Sequence, residues 1–538
     1  MLSLRCRLAT SGLFSASILV ACGGGGGGGG GSSGPPMVTP TSFVVGGTVN
    51  GLESSGLVLQ INGREEVSVG SSGGPFTFPT AIPNGGVYSV AVETQPNIGP
   101  LQICSVANGD GNIAGVSVSN VTVTCVTKYD KFLYVANPAA NNVSGYAINA
   151  TTGALTAVSG SPFPTEPNPR YVNGEPTGKF VYVTTLGNTT TPPQVSGFSL
   201  DGTSGALSKL LNSPYPLSAT NPPAPSTLAI NLPALHPSGL VGYLSIPVPT
   251  ATLYGAALNT STGDLAEIPG FPISVGFEGQ TPFFDSSGQY LFVASDASAG
   301  SSGRISGYQI SAPSGVLTPN GAPVATGGNN PAAALTPDGK FVIVVNQASS
   351  TLAVMAVDSA GTLSVVGSPV ATGGAVGTRP SSFFMYERRL SVIYLSLAAL
   401  GGASPPAPSI AAFGFNTTTG VLTPLPGSPY SSNGATQFPW LHPSGKFLYQ
   451  VNGANGTLQR YLIDQTTGVP TLAADVTTPT DVPFILVSDP SGRYVYVTST
   501  VGANVSSYSV NQTSGALTLV NTLPAGAGAF LPQAVGLQ

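Results

Sequence analysis

Lys131-Phe-Leu-Tyr-Val-Ala-Asn137 opens a stretch that continues through Asn141-Asn-Val-Ser-Gly-Tyr-Ala-Ile148, Thr151-Thr-Gly-Ala-Leu-Thr156 and Gly160-Ser-Pro-Phe163, and closes on Pro176-Thr-Gly178. The same pattern restarts at Lys179 and runs to the C-terminus. Apolar runs follow a Gly-type turn from Lys131, Lys179, Leu240, Gln289, Lys340, Arg389, Lys446 and Arg493, at spacings of 47 to 61 residues. Self-similarity at this scale marks solenoids, propellers or arrays. Each unit holds about four short strands: a signature run such as Phe341 to Val345, the run before a hairpin, the run after Thr-Gly-x-Leu-Thr, and a Pro-led run such as Pro483 to Val487. Four antiparallel strands make one propeller blade, so residues 127–538 predict a β-propeller of eight blades, with seven as the alternative.

The turns before the signature runs repeat as well. Glu175, His236, Asp285, Thr336, His442 and Asp489 each head a Pro-Ser/Thr/Asp-Gly turn or its variant. Proline presets φ, the polar head caps the turn, and glycine takes the positive-φ position. Both histidines of the chain are therefore read as turn residues, equivalent to Asp and Thr elsewhere, rather than as metal ligands or general bases. In the sixth unit Tyr386-Glu387-Arg388 replaces the usual turn, which would put Arg388 at a glycine position. The first unit lacks a Pro-led run of its own and the C-terminus has one to spare. Gln533 to Leu537 should therefore complete the first blade, because an open ring would expose unpaired backbone groups.

Working outward, only 7% of the residues are charged, while Gly (71) and Pro (49) abound; ordinary soluble domains carry roughly 25% charge. No apolar run approaches the ~20 residues of a spanning helix. The net charge of −5 is acidic and unclustered, which argues against nucleic acid as a partner. Residues 41–126 show seven or eight short apolar runs separated by Gly, Asn or Pro, as in an immunoglobulin-like β-sandwich. Within them Cys104 and Cys125 are expected to pair, given an oxidising compartment. Asn108-Gly-Asp-Gly-Asn112 resembles a calcium loop but lacks a downstream acidic ligand, and reads as a turn. No metal or cofactor site is predicted.

Residues 1–21 read as a secretory signal, with Arg5 and Arg7 before an apolar core too short to span. The segment ends Leu19-Val-Ala-Cys22, which resembles the lipobox of bacterial lipoproteins. That resemblance implies lipidation of Cys22, and Gly23 behind it implies sorting to the outer membrane, with the propeller facing the periplasm or the cell surface. Residues 22–40, with nine consecutive glycines, form a flexible tether.

The signature runs Lys131-Phe-Leu-Tyr-Val-Ala-Asn137, Lys179-Phe-Val-Tyr-Val-Thr-Thr185 and Arg493-Tyr-Val-Tyr-Val-Thr-Ser499, with the Thr-Gly-x-Leu-Thr hairpins, resemble the YVTN-type repeat of the lactonase propeller family, which includes bacterial 6-phosphogluconolactonase. The resemblance implies the fold over residues 131–538. It further implies a Pro-His pair at the start of the channel strands. The matching pairs here are Pro169-Arg170, Pro282-Phe283, Pro331-Ala332, Pro380-Ser381, Pro439-Trp440, Pro483-Phe484 and Pro532-Gln533, none with histidine.

What remains for a site are residues that break the repeat: Arg170, Glu278, Asp296, Arg379, Glu387 and Arg388. Of these Arg170 and Arg379, with Trp440, fall on or beside the channel strands. Arginine there could fork onto a carboxylate or phosphate, and Trp440 could stack on a sugar. Local ion pairing and packing are the plainer readings of the same residues. No catalytic residue is assigned. The sequence favours a lipid-anchored propeller that presents a binding surface to a small carbohydrate or a protein, without catalysis. The alternatives are a diverged lactonase acting on a sugar lactone and a purely structural envelope component.

Overall fold

In a computed structural model the described residues are 41–96, 102–127, 131–175, 177–217, 234–236, 238–246, 251–276, 282–285, 287–296, 302–375, 378–399, 408–432, 436–452, 456–473, 476–477, 483–499, 501–526 and 532–535. Cys22, the signal and the tether lie outside them, as do Glu278 and Leu537. Every element among them is a strand.

The N-terminal strands form two four-stranded sheets around one apolar core. One runs Gly74–Thr77, Val45–Asn50, Val118–Thr127, Gln102–Ala107; the other runs Glu65–Ser68, Val58–Ile61, Val87–Thr94, Asp110–Asn112. Val45, Leu59, Phe78 and Val123 are fully buried between them. Three details differ from expectation. The two runs at 116–124 are one strand with a register shift between Val118 and Val121. That strand pairs in parallel with Val45–Asn50. The Asn108–Asn112 segment is not only a turn, since its last three residues pair with Val87–Ser89. Cys104 and Cys125 are bonded directly across neighbouring strands, as the sequence suggested. On the free edge beyond Cys104, the Gln95 amide accepts from Cys104 N at 2.8 Å and donates to Cys104 O at 2.9 Å.

Ser42–Phe43 and Ile82–Pro83 form a small two-stranded sheet, and the strands from Phe132 onward form eight sheets among the described residues, each a path of four strands, with a short fifth strand paired to the third in six of them. In the second blade the order is inner strand Pro169–Gly174, signature strand Phe180–Thr185, third strand Gln194–Leu200 and outer strand Leu207–Lys209. The first blade takes its inner strand from the far end of the chain: Pro532–Val535 pairs antiparallel with Phe132–Val135. The expected closure is thus observed.

Side-chain alternation along a strand explains how the blades join. In each signature strand the first, third and fifth residues face the following blade, and the second and fourth face the preceding one. Phe132, Tyr134 and Ala136 pack with Val181 and Val183 of the second blade, while Leu133 and Val135 pack with Tyr494 and Tyr496 of the eighth. The same rule holds at every seam around the ring. Each seam is therefore a separate small core, and the last of them, eight to one, closes the circle.

Candidate functional site

Each blade presents two ends to the channel. At one end the inner strand turns into the signature strand; at the other the inner strand begins and the signature strand finishes.

The turn end is built for rigidity. His442 is 1% exposed. Its Nε2 lies 2.7 Å from the carbonyl of Gly492 in the next blade's turn, and its Nδ1 lies 2.7 Å from Ser444 Oγ and accepts from Ser444 N at 3.1 Å. A carbonyl can only accept, so the ring carries its proton on Nε2. Burial, with a smaller push from Lys446, holds His442 down at about 4. His236 repeats this arrangement, reaching Gly288 O at 2.8 Å and accepting from Ser238 N at 3.0 Å. Asp489 does the job with a carboxylate: it accepts from Tyr494 N at 2.9 Å and Ser491 N at 3.2 Å, and burial raises its pKa. Both histidines are turn staples, as the repeat implied.

The sixth turn corrects the sequence reading. Glu387, 2% exposed, is its head, accepting from Leu390 N at 2.6 Å and from Arg389 Nε at 2.9 Å. The positive φ of 52° falls on Ser391, not Arg388, because the signature strand begins at Val392. The step from Glu387 to the first strand residue Val392 equals that from His442 to Phe447, so the turn lies two residues later than the sequence reading placed it. Arg388 is exposed.

The opposite end carries the repeat-breaking arginines. Arg170 sits in the inner strand of the second blade at a bulge: Pro169 pairs with Thr185 and Tyr171 with Thr184, leaving Arg170 off the ladder. It is half-buried, and burial lowers the pKa of its guanidinium, opposed by the neighbouring Tyr171. Arg379 is the second residue of the inner strand Thr378–Glu387 of the sixth blade and is exposed. Four blades separate the two arginines in a ring of eight, so they stand across the channel from each other. Trp440 does not join them. It lies near the turn end of Thr436–Leu441, its ring 6.0 Å from His442 edge-on and 5.8 Å from Tyr449, packed against the core between the seventh and eighth blades. Asp296 is buried at the finish of its signature strand and accepts from Asn330 N at 3.0 Å, which ties down the crossover into the fifth blade. Among the described residues no cluster could hold a metal ion.

Two sets of residues escaped the sequence reading. The third residue of five signature strands is a tyrosine whose hydroxyl donates to the hairpin glycine of the next blade: Tyr134 to Gly205, Tyr182 to Gly263, Tyr243 to Gly315, Tyr394 to Gly468 and Tyr449 to Gly515, at 2.6–2.7 Å. The spacing of Tyr to the following Thr/Ser-x-Gly was the available signal. The last residue of the signature is the other. Asn137 accepts from Gly526 N at 2.8 Å and Asn346 donates to Thr326 O at 3.1 Å, each holding the incoming crossover.

Eight blades sewn shut by a C-terminal strand define a β-propeller. The family model described as "Lactonase, 7-bladed beta-propeller" matches residues 93–220, 252–381 and 408–531, more than half of the chain, and the chain belongs to that family. The match breaks at 221–251 and 382–407, where the third and sixth signature strands lie, and among the described residues the propeller has eight sheets rather than seven. A putative 6-phosphogluconolactonase from Bacteroides fragilis is 16% identical, over 76% of this chain and 97% of that one, with a TM-score of 0.47. The periplasmic gluconolactonase of Pseudomonas aeruginosa is 15% identical over 77% and 100%, with a TM-score of 0.46. The dihydro-heme d1 dehydrogenase NirN is 13% identical over 75% of each chain, with a TM-score of 0.53. At these identities the likeness is one of fold. No curated protein sequence matches the chain.

Proposed function

We propose that this chain is a lipid-anchored envelope protein whose propeller binds a small carboxylate-bearing carbohydrate at the channel without hydrolysing it. The observation that carries this reading is the division of labour between the two ends. Both imidazoles are committed to neighbouring turns, so no histidine serves as a base, while Arg170 is held half-buried off the ladder of a channel strand. A guanidinium in a partly dehydrated site recognises a carboxylate through paired hydrogen bonds. Arg379, across the ring, is the second cation available to an extended ligand. The anchor rests on Leu19-Val-Ala-Cys22 and the glycine tether behind it, and the immunoglobulin-like reading of residues 41–126 is supported by their two facing sheets.

Calorimetric titration of the full chain with gluconate tests the binding: saturable heat that Arg170→Ala removes is expected, and no heat in the wild type would overturn it. Family membership favours a second reading, a lactonase. Opening of glucono-δ-lactone faster than in buffer, and slowed by Arg170→Ala, would establish that reading instead. Fatty-acid labelling in a lipoprotein-processing bacterium should mark the wild type and not Cys22→Ser.

A further inference from the structure

The seam between the second and third blades is unlike the other seven. Among the described residues the blades elsewhere share a single core of seven to twelve buried residues; here the core is split into one group of four and one of three. The cause can be read in the signature strands. Their second residue faces the preceding blade, and it is Leu133, Val181, Leu291, Val342, Ile393, Leu448 and Val495 in seven blades. In the third blade it is Gly242. The branched side chain that fills every other seam is missing.

A cavity occupies the place. Its volume is about 70 Å³, open on one side, and its lining includes Tyr182, Leu235, Gly242, Leu244, Tyr254 and Leu258. Its walls are almost wholly apolar; of the polar side chains that line it, Thr184 donates its hydroxyl to Tyr171 O at 3.5 Å, and Asn173 is the other besides the tyrosines. Asn173, on the inner strand of the second blade, lines the cavity, is only 8% exposed, and its buried Nδ2 has no hydrogen-bond partner among the described residues. A buried amide N–H without a partner costs roughly 1–3 kcal/mol. A molecule that brings an acceptor oxygen to Nδ2 and apolar surface to the walls would relieve that cost and fill the void.

We propose that this seam is a ligand site for a small apolar molecule carrying one carbonyl, with Asn173 Nδ2 donating to the carbonyl oxygen and the space opened by Gly242 taking the hydrocarbon. The site is independent of the channel and of Arg170. It also has a built-in lock: an ideal Cβ on Gly242 would press on the flexible end of Leu235, at 3.0 Å, and make ordinary contact with Ala234 O, at 3.5 Å, and the backbone there is not left-handed, so larger residues are admissible.

The test uses the full chain and two probes of similar size, acetophenone and ethylbenzene, followed by ligand-observed NMR and thermal unfolding. Wild type should bind acetophenone at least about tenfold more tightly than ethylbenzene, the preference a buried hydrogen bond of about 1.4 kcal/mol confers. Gly242→Val should unfold cooperatively and bind neither. Asn173→Leu should keep ethylbenzene and lose the preference for acetophenone. Failure of wild type to bind either probe would overturn the proposal. So would Gly242→Val binding acetophenone as well as wild type, or an unchanged preference in Asn173→Leu. Gluconate binding in the same variants should match wild type, which separates this site from the channel reading.

Discussion

The seam between blades one and two and the seam between blades two and three are built from the same repeat with opposite results. In the first, Phe132, Tyr134 and Phe163 meet Val181, Val183 and Phe198 in one continuous core of twelve buried residues. In the second, Phe180 and Tyr182 meet a third blade that offers Gly242, and the core divides. Both seams keep their tyrosine staple to a hairpin glycine, at 2.6 and 2.7 Å. The hydrogen bonds therefore set how blades are spaced, and the apolar residue at one position sets whether the space is filled. Stability and a ligand-sized void are adjusted by different residues of the same unit.

Removing the strand that makes the ring a ring is the largest perturbation. Deleting residues 529–538 strips Pro532–Val535 from the first blade and should render the protein insoluble or lower its melting temperature by well over ten degrees. An unchanged melting curve would mean that the seams hold without closure.

Next in size is a clash in the tight seam. Gly205 has φ of 76° and an added Cβ would lie 2.4 Å from the Phe132 ring, so Gly205→Ala should cost roughly 2–5 kcal/mol in denaturant unfolding. Gly242→Ala in the loose seam should be neutral or stabilising by about 0.5–1 kcal/mol. Equal losses in the two variants would erase the contrast.

The pH dependence of His442 probes the turn end. Its pKa is about 4 in the fold against 6.5 when free. Between those values the unfolded chain binds a proton that the folded one does not, so stability is intact above pH 6.5 and falls as pH drops towards 4, by up to about 3 kcal/mol. Buried Asp489, with a raised pKa, works in the opposite sense and lessens the slope. Urea midpoints for wild type should fall more steeply than for His442→Asn across this window; parallel lines would remove His442 from the account.

The smallest effect compares single hydroxyls. Tyr134→Phe and Tyr182→Phe should each cost about 1 kcal/mol, since the staple is the same in both seams. A much larger loss at Tyr182 would show that the poorly packed seam leans on its hydrogen bond.

The sequence made the ring legible because its turns and hairpins are local. Gly153 and Gly205 need no long-range knowledge to be read as hairpin glycines, and the unpaired run at the C-terminus could be matched to the first blade by counting strands. The register of the sixth turn was not legible, since Glu387 heads it without a following Pro-Ser-Gly, and Ser391 adopts the positive φ expected of Arg388. Trp440 looked like a channel residue from its place after a proline. Only the fold shows that it packs on His442 and Tyr449 near the turn end. The arginines were found by their rarity, but their separation across the ring depends on the number of blades. Gly242 stood in plain view within a signature run, yet its meaning required knowing which face of that strand looks backward.

That alternation has a consequence for how such a chain can change in length over generations. Each blade offers a forward surface made of odd positions and a backward surface made of even ones, and only the two meet. A duplicated blade inserted beside its parent creates a junction between the parent's forward surface and a copy of its own backward surface. Every sequence in the array has already been selected to fit a partner of that kind. Gain or loss of one unit therefore leaves all other junctions untouched and needs only a new circumference, which the terminal strand seals wherever the count stops. An eight-membered array within a family described as seven-bladed is what such inheritance allows.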